Sequence, residues 1–173
     1  MLQRQGLTVR SAALGLVLVV ALGMGRPAGA DDTVMLSVAA PGVPEIALTM
    51  DDLHAVGDTT LATGTPWTEG QQTFVGVTGH QLLAALKARG MNTATAGVAA
   101  VANNDYRVVI PMAAFDQDDT LIAFSRNGAA MPVRDKGPLW IVFPFDQNPD
   151  KYRSTTYKAY AIWGLVRLEL QDE

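Results

Sequence analysis

Two histidines and no cysteine set the chemistry that this 173-residue chain can do with its own side chains. Without a thiol there is no thiolate nucleophile, no cysteine-bound iron–sulfur cluster and no thiolate-ligated metal. Two imidazoles, His54 and His80, are too few for a multi-histidine zinc site. Each lies close to an expected helix start with no evident orienting partner, so each reads as a structural side chain that the fold could still carry into a cleft. The carboxylate pairs Asp51/Asp52 and Asp118/Asp119 suggest acid–base work at first sight. Adjacent residues, however, point to different faces of a regular element, and solvated helix-start and turn charges explain them better. Ser37, Ser125 and Ser154 sit in no nucleophile-elbow pattern, and no glycine-rich phosphate loop is present.

What remains is a set of aromatic and polar residues at expected loop or strand ends: Trp67, Asn103, Asn104, Asp105, Tyr106, Trp140, Tyr152, Tyr157 and Trp163. Tryptophan and tyrosine pair a broad apolar surface with a polar handle, which suits a cleft for a flat ligand and equally suits a core position with a polar tip. Trp140 lies inside an apolar run and reads as core. Trp67 and the 103–106 turn stay open between the two readings.

The elements that must position these residues are short. Residues 34–50 give two strands split by Pro41-Gly42, the second alternating through Glu45-Ile46-Ala47-Leu48-Thr49-Met50. Thr49 then caps a short helix through His54, with Asp51 and Asp52 in its first turn, where negative charge suits the dipole. Thr59 to Thr65 is β-prone and stops at Pro66-Trp67. After the polar stretch 68–73 and Phe74-Val75-Gly76-Val77 comes the one clear helix, about 78–89. Thr78 caps it, Leu82, Leu83 and Leu86 form its apolar stripe, and Gly90 ends it. Val98–Ala102 and Tyr106–Ile110 flank Asn103-Asn104-Asp105 and predict a β-hairpin. Strands follow at 121–125 and 139–143, with Asn127-Gly128 as a turn. Residues 146–156 read as a polar loop, and 160–170 as a last strand with Val166, Leu168 and Leu170 on one face. Several short strands, one good helix and no βαβ alternation predict an α+β, mostly β domain.

The ends add a compartment. Arg4 and Arg10 precede the apolar run Ala12–Leu22, and Ala28-Gly29-Ala30 offers a peptidase site, so residues 1–30 read as a signal peptide and 31–173 as the mature domain, secreted or periplasmic. A run of about a dozen apolar residues is too short for a spanning helix, which needs ~20, and no later segment is a better candidate. Removing Arg4, Arg10 and Arg26 from 13 basic residues leaves 10 against 17 acidic ones, a net charge of −7. With no basic cluster either, no nucleic-acid partner is expected. About 140 residues bury a sufficient core without disulfides.

The motifs, taken in order, carry a resemblance. Thr65-Pro66-Trp67-Thr68, Phe74-Val75-Gly76-Val77 with Leu82-Leu83, and Ala102-Asn103-Asn104-Asp105-Tyr106 with Ile110-Pro111 come first. Asn127-Gly128 with Met131-Pro132, Gly137-Pro138-Leu139, Pro144 and Trp163-Gly164-Leu165 follow. Across about residues 35–170 this order resembles the oxidoreductase molybdopterin-binding domain of the sulfite oxidase family, especially its small exported single-domain members. The resemblance implies a mixed α+β fold with a cleft for the molybdenum cofactor. In catalytic members a cysteine thiolate ligates the metal shortly before a tryptophan. Placing Trp67 on that tryptophan puts Thr63 at or near the cysteine's position, and a neutral hydroxyl is a poor substitute for a soft thiolate. Arg107 is the only arginine near the central turn, so the family's basic substrate pocket is not evident.

Three readings follow. The first is a non-catalytic periplasmic domain, a ligand-binding, accessory or sensory module with no cofactor expected. The second is an oxidoreductase that holds a molybdopterin-type cofactor without a protein thiolate, with Thr63, Trp67, Asn104, Asp105, Tyr106 and Arg107 around it. The third is an interaction protein that buries the old cleft against a periplasmic protein partner, which a long exposed apolar patch would favour. Loss of the cysteine favours the first, whose partner is a small-molecule ligand or another periplasmic protein.

Overall fold

The computed structural model describes residues 33–117 and 119–172; the signal-peptide reading and Asp118 lie outside them. Two five-stranded sheets share one core. Strands β1 (Val34–Ala40) and β2 (Val43–Thr49) form an antiparallel hairpin in which Leu36 and Val38 on β1 and Leu48 on β2 face inward. Thr49 then caps α1 (Met50–Val56) through a reciprocal box: its hydroxyl accepts the Asp52 N–H, while the Asp52 carboxylate accepts the Thr49 N–H. Strands β3 (Thr59–Gly64) and β4 (Gln71–Thr78) run antiparallel. Thr78 and Gln81 repeat the capping box at the head of α2 (Gly79–Ala88), whose Leu82, Leu83 and Leu86 are buried.

The central hairpin is β5 (Gly97–Ala102) and β6 (Arg107–Pro111), paired across Asn103-Asn104-Asp105. Helix α3 (Met112–Gln117) leads to β7 (Leu121–Arg126), and Asn127-Gly128 turns it back to the short β8 (Ala129–Ala130). The apolar run centred on Trp140 becomes β9 (Trp140–Val142), paired with β7 and fully buried. Trp140 is thus core, with no exposed surface and its indole N–H donating to the Ala161 carbonyl.

The C-terminal segment departs from the sequence reading. Residues 146–156 are not loop throughout: α4 (Pro149–Tyr152) begins under an Asn148 cap and α5 (Thr155–Tyr160) under a Ser154 cap. One-turn helices of this length show no readable period, and the caps are their only local signal. The last strand, β10 (Leu165–Gln171), begins five residues later than expected because α5 runs through Tyr160. A register shift against β5 between Leu165 and Arg167 also replaces Val166 by Leu165 as a fully buried residue beside Leu168 and Leu170.

Strand β10 inserts between β1, which it meets in parallel, and β5, giving the order β2-β1-β10-β5-β6. The second sheet runs β3-β4-β7-β8 with β9 also on β7. On the outer side of the first sheet, Arg167 bridges Glu45 at 2.6 Å and Glu169 at 2.9 Å, and Arg107 meets Glu169 at 2.7 Å. These hydrogen bonds from Arg167 hold the Glu45 carboxyl below its ordinary range. Among the described residues no helix is long and apolar enough to cross a membrane.

Candidate functional site

The buried end of β3 decides what the Thr63–Trp67 segment can do. Thr63 is 1% exposed; its hydroxyl donates to the Gly64 carbonyl at 3.1 Å and accepts the Asp146 N–H at 3.2 Å. The Asp146 carboxylate returns across the same gap, accepting the Gly64 N–H at 2.5 Å and the Arg153 guanidinium at 2.8 Å. Donation from Gly64 and then from Arg153 holds the Asp146 carboxyl below its ordinary range. Strand β3, the loop before α4 and Arg153 just after α4 are thereby tied at one point, with both polar atoms of that tie already committed.

Four residues on from Thr63, a hydroxyl-supported turn sets Trp67. The Thr65 hydroxyl accepts the Trp67 N–H at 3.2 Å and lies 2.9 Å from that of Thr68. The indole then meets Trp163 edge-on at a centroid distance of 5.3 Å, Phe145 at 6.0 Å and Trp140 at 6.0 Å. Such tilted pairs each add about 0.5–1.5 kcal/mol beyond burial. Opposite stands the hairpin tip. Asp105 takes the left-handed conformation (φ 64°), and Asn104 accepts the Tyr106 N–H through its side chain. The Asn103 N–H donates to the Gly164 carbonyl at 2.8 Å, locking the tip to the segment before β10. Gly164 itself has φ +66°, and a Cβ there would stand 2.8 Å from the Asn103 amide oxygen, so the close approach needs glycine.

Between these two supports lies a cavity of about 270 Å³. Trp67, Asn104 and Tyr106 line it, with Trp163, Ile162 and Lys158 closing the far wall. Of the residues the sequence singled out, the structure therefore brings Trp67, Asn104 and Tyr106 together. Asp105, beside them in sequence, does not line the cavity; the left-handed turn sets it apart. Thr63 is sealed behind the Asp146 loop, and Arg107 points to the ion pair with Glu169. His54 and His80 lie outside the cavity, each on a carboxylate the sequence reading missed: Asp58 at 2.6 Å and Asp116 at 2.9 Å. Lys158, Ala161 and Ile162 were not legible as site residues, because only the docking of α5 turns them inward.

The chain matches the model of the oxidoreductase molybdopterin binding domain over residues 30–146. It belongs to that family. Among solved structures it is similar to the sulfane dehydrogenase SoxCD of Paracoccus pantotrophus, with a TM-score of 0.58 and 20% identity over 81% of this chain. That likeness is one of fold, and this chain spans 38% of the neighbour's length. No curated protein matches. The family match ends at Asp146, so Lys158, Ile162 and Trp163, which close the cavity, lie beyond it.

The residues present do not fit a molybdenum held by the protein. The chain has no cysteine, and the threonine at the resembling position spends its hydroxyl on two backbone partners while lining no part of the cavity. Among the described residues no cluster of histidine and carboxylate side chains offers an alternative metal site. The cavity supplies aromatic faces, an amide and one ammonium, which bind and orient; it holds no imidazole or carboxylate for proton transfer.

Proposed function

We propose that this member of the family is an exported, non-catalytic domain that keeps the fold and uses the aromatic cavity to bind a small ligand, as an accessory or sensory module. The observation that carries the reading is the closed position of Thr63: the residue that the resemblance sets at or near the family's metal ligand is buried and bonded to Gly64 and Asp146. Export is supported by the N-terminal pattern of Arg4, Arg10, the apolar run and Ala28-Gly29-Ala30. Ligand binding is supported by exposed apolar surface at the cavity, where Tyr106 and Trp163 are 48% and 41% exposed, beside buried Ile162. Metal analysis of the natively purified protein tests it, with no stoichiometric molybdenum expected.

The second reading, an oxidoreductase with a molybdopterin-type cofactor free of protein ligation, is favoured by the family match itself and by a cavity that retains Trp67, Asn104 and Tyr106. About one molybdenum per chain would establish it in place of the first.

A further inference from the structure

The aromatic cavity has a polar neighbour. Beyond Trp163 lies a second depression of about 240 Å³, and Asn104 and Trp163 line both. One is walled by indole and phenol, the other by Asn103, Arg134, Asp135 and Lys136. A molecule reaching past Trp163 meets both chemistries.

The charges in the second depression are unequal. Asp135 is already neutralised: one oxygen lies 2.6 Å from Arg126 and the other 3.3 Å from Lys136. The Lys136 ammonium is also shared with the Trp140 ring, 5.8 Å from its centroid. Arg134 has no ion pair or hydrogen bond with any described residue, and the Asn103 side-chain amide likewise has no partner. One guanidinium fork and one amide donor are therefore free beside an aromatic slot. A guanidinium binds a carboxylate through two parallel N–H donors. The mature chain carries −7 overall by the sequence count, so its long-range field repels anions and any preference for one must be local.

We propose that the two depressions form one bipartite site for a small aromatic carboxylate. The ring lies among Trp67, Tyr106 and Trp163, and the carboxylate meets Arg134 and the Asn103 amide. A volume of about 270 Å³ takes one or two fused rings. The inference rests on the ligand-binding reading and adds to it the chemical class of the ligand and the residue that selects it. Lys158, exposed at the opposite rim and also without an ion pair among the described residues, is the competing anchor.

Calorimetric titration of the natively purified protein with 2-naphthoate and with its uncharged analogue 2-naphthamide tests this. The carboxylate is expected to bind at least tenfold more tightly than the amide. Arg134→Ala should weaken the carboxylate far more than the amide and so abolish that difference, and Tyr106→Ala, at an exposed position, should weaken both. Equal affinities, no binding of either compound, or a loss of preference confined to Lys158→Ala would overturn the proposal. Stoichiometric molybdenum in the native protein would instead sink the ligand-binding reading beneath it, so the two failures are distinguishable.

Discussion

Replacing Thr63 by valine changes one buried oxygen for a methyl group of nearly the same size, so it isolates the hydrogen bonds from the packing. Two bonds disappear: the donation to the Gly64 carbonyl and the acceptance of the Asp146 N–H. The Asp146 amide is left facing an apolar side chain that is 1% exposed in the parent. The Thr63 hydroxyl is buried while Asp146 is exposed, so each of the two lost bonds counts at its net value of about 0.5–1.5 kcal/mol. The prediction is a loss of about 2 kcal/mol and, for a domain of this size, a melting temperature lower by roughly 4–8 °C. Urea and thermal denaturation followed by circular dichroism measure it. If Thr63 instead faced an open cofactor site, its hydroxyl would be solvated and valine would cost under about 0.5 kcal/mol. A change that small would refute the structural role assigned to this residue.

Thr63→Cys expressed in a cell that makes molybdopterin is predicted to gain no molybdenum, because the new thiol would lie behind the Asp146 loop; metal content measures this directly. Four carboxyls, Asp146, Asp52, Asp135 and Glu45, are held below their ordinary range by backbone and side-chain donors. Their folded pKa values lie below the unfolded ones of about 4, so the stability they contribute is complete above that pH and is lost as pH falls through the folded values. Denaturation midpoints should therefore stay level from pH 7 to 5 and fall gradually below pH 4, each exposed carboxyl contributing little on its own, and a flat profile down to pH 2 would contradict the assignment. Gly164→Ala should cost about 1–2 kcal/mol for the left-handed backbone alone, and should loosen the hairpin tip, seen as increased amide exchange at Asn103.

Much of the fold was legible because its signals are local. Thr49 and Thr78 announce helix starts through cap chemistry that spans three residues, and Asn103-Asn104-Asp105 announces a hairpin. Trp140 declares itself by its apolar neighbours. The aromatic side of the cavity could be suspected from Trp67 and Tyr106 on the same grounds. Its other wall could not. Lys158 and Ile162 reach it because α5 packs against β6 and the Asn103–Gly164 hydrogen bond docks the segment after α5 on the hairpin tip, and no local pattern encodes that. Thr63 shows the same limit: its partner Asp146 is 83 residues away, so the sequence shows that the chain has no cysteine but not that the Thr63 hydroxyl is tied across the fold. Arg134 was silent for a different reason, since a surface arginine becomes informative only when its neighbours are known to be paired elsewhere.

The central claim, that this family member has given up its metal site, is tested most directly by the molybdenum content of protein purified natively from molybdate-replete cells, with a cysteine-bearing family member purified alongside. The account predicts molybdenum near stoichiometry in the cysteine-bearing protein and none above background in this one. About one molybdenum per chain here would contradict it.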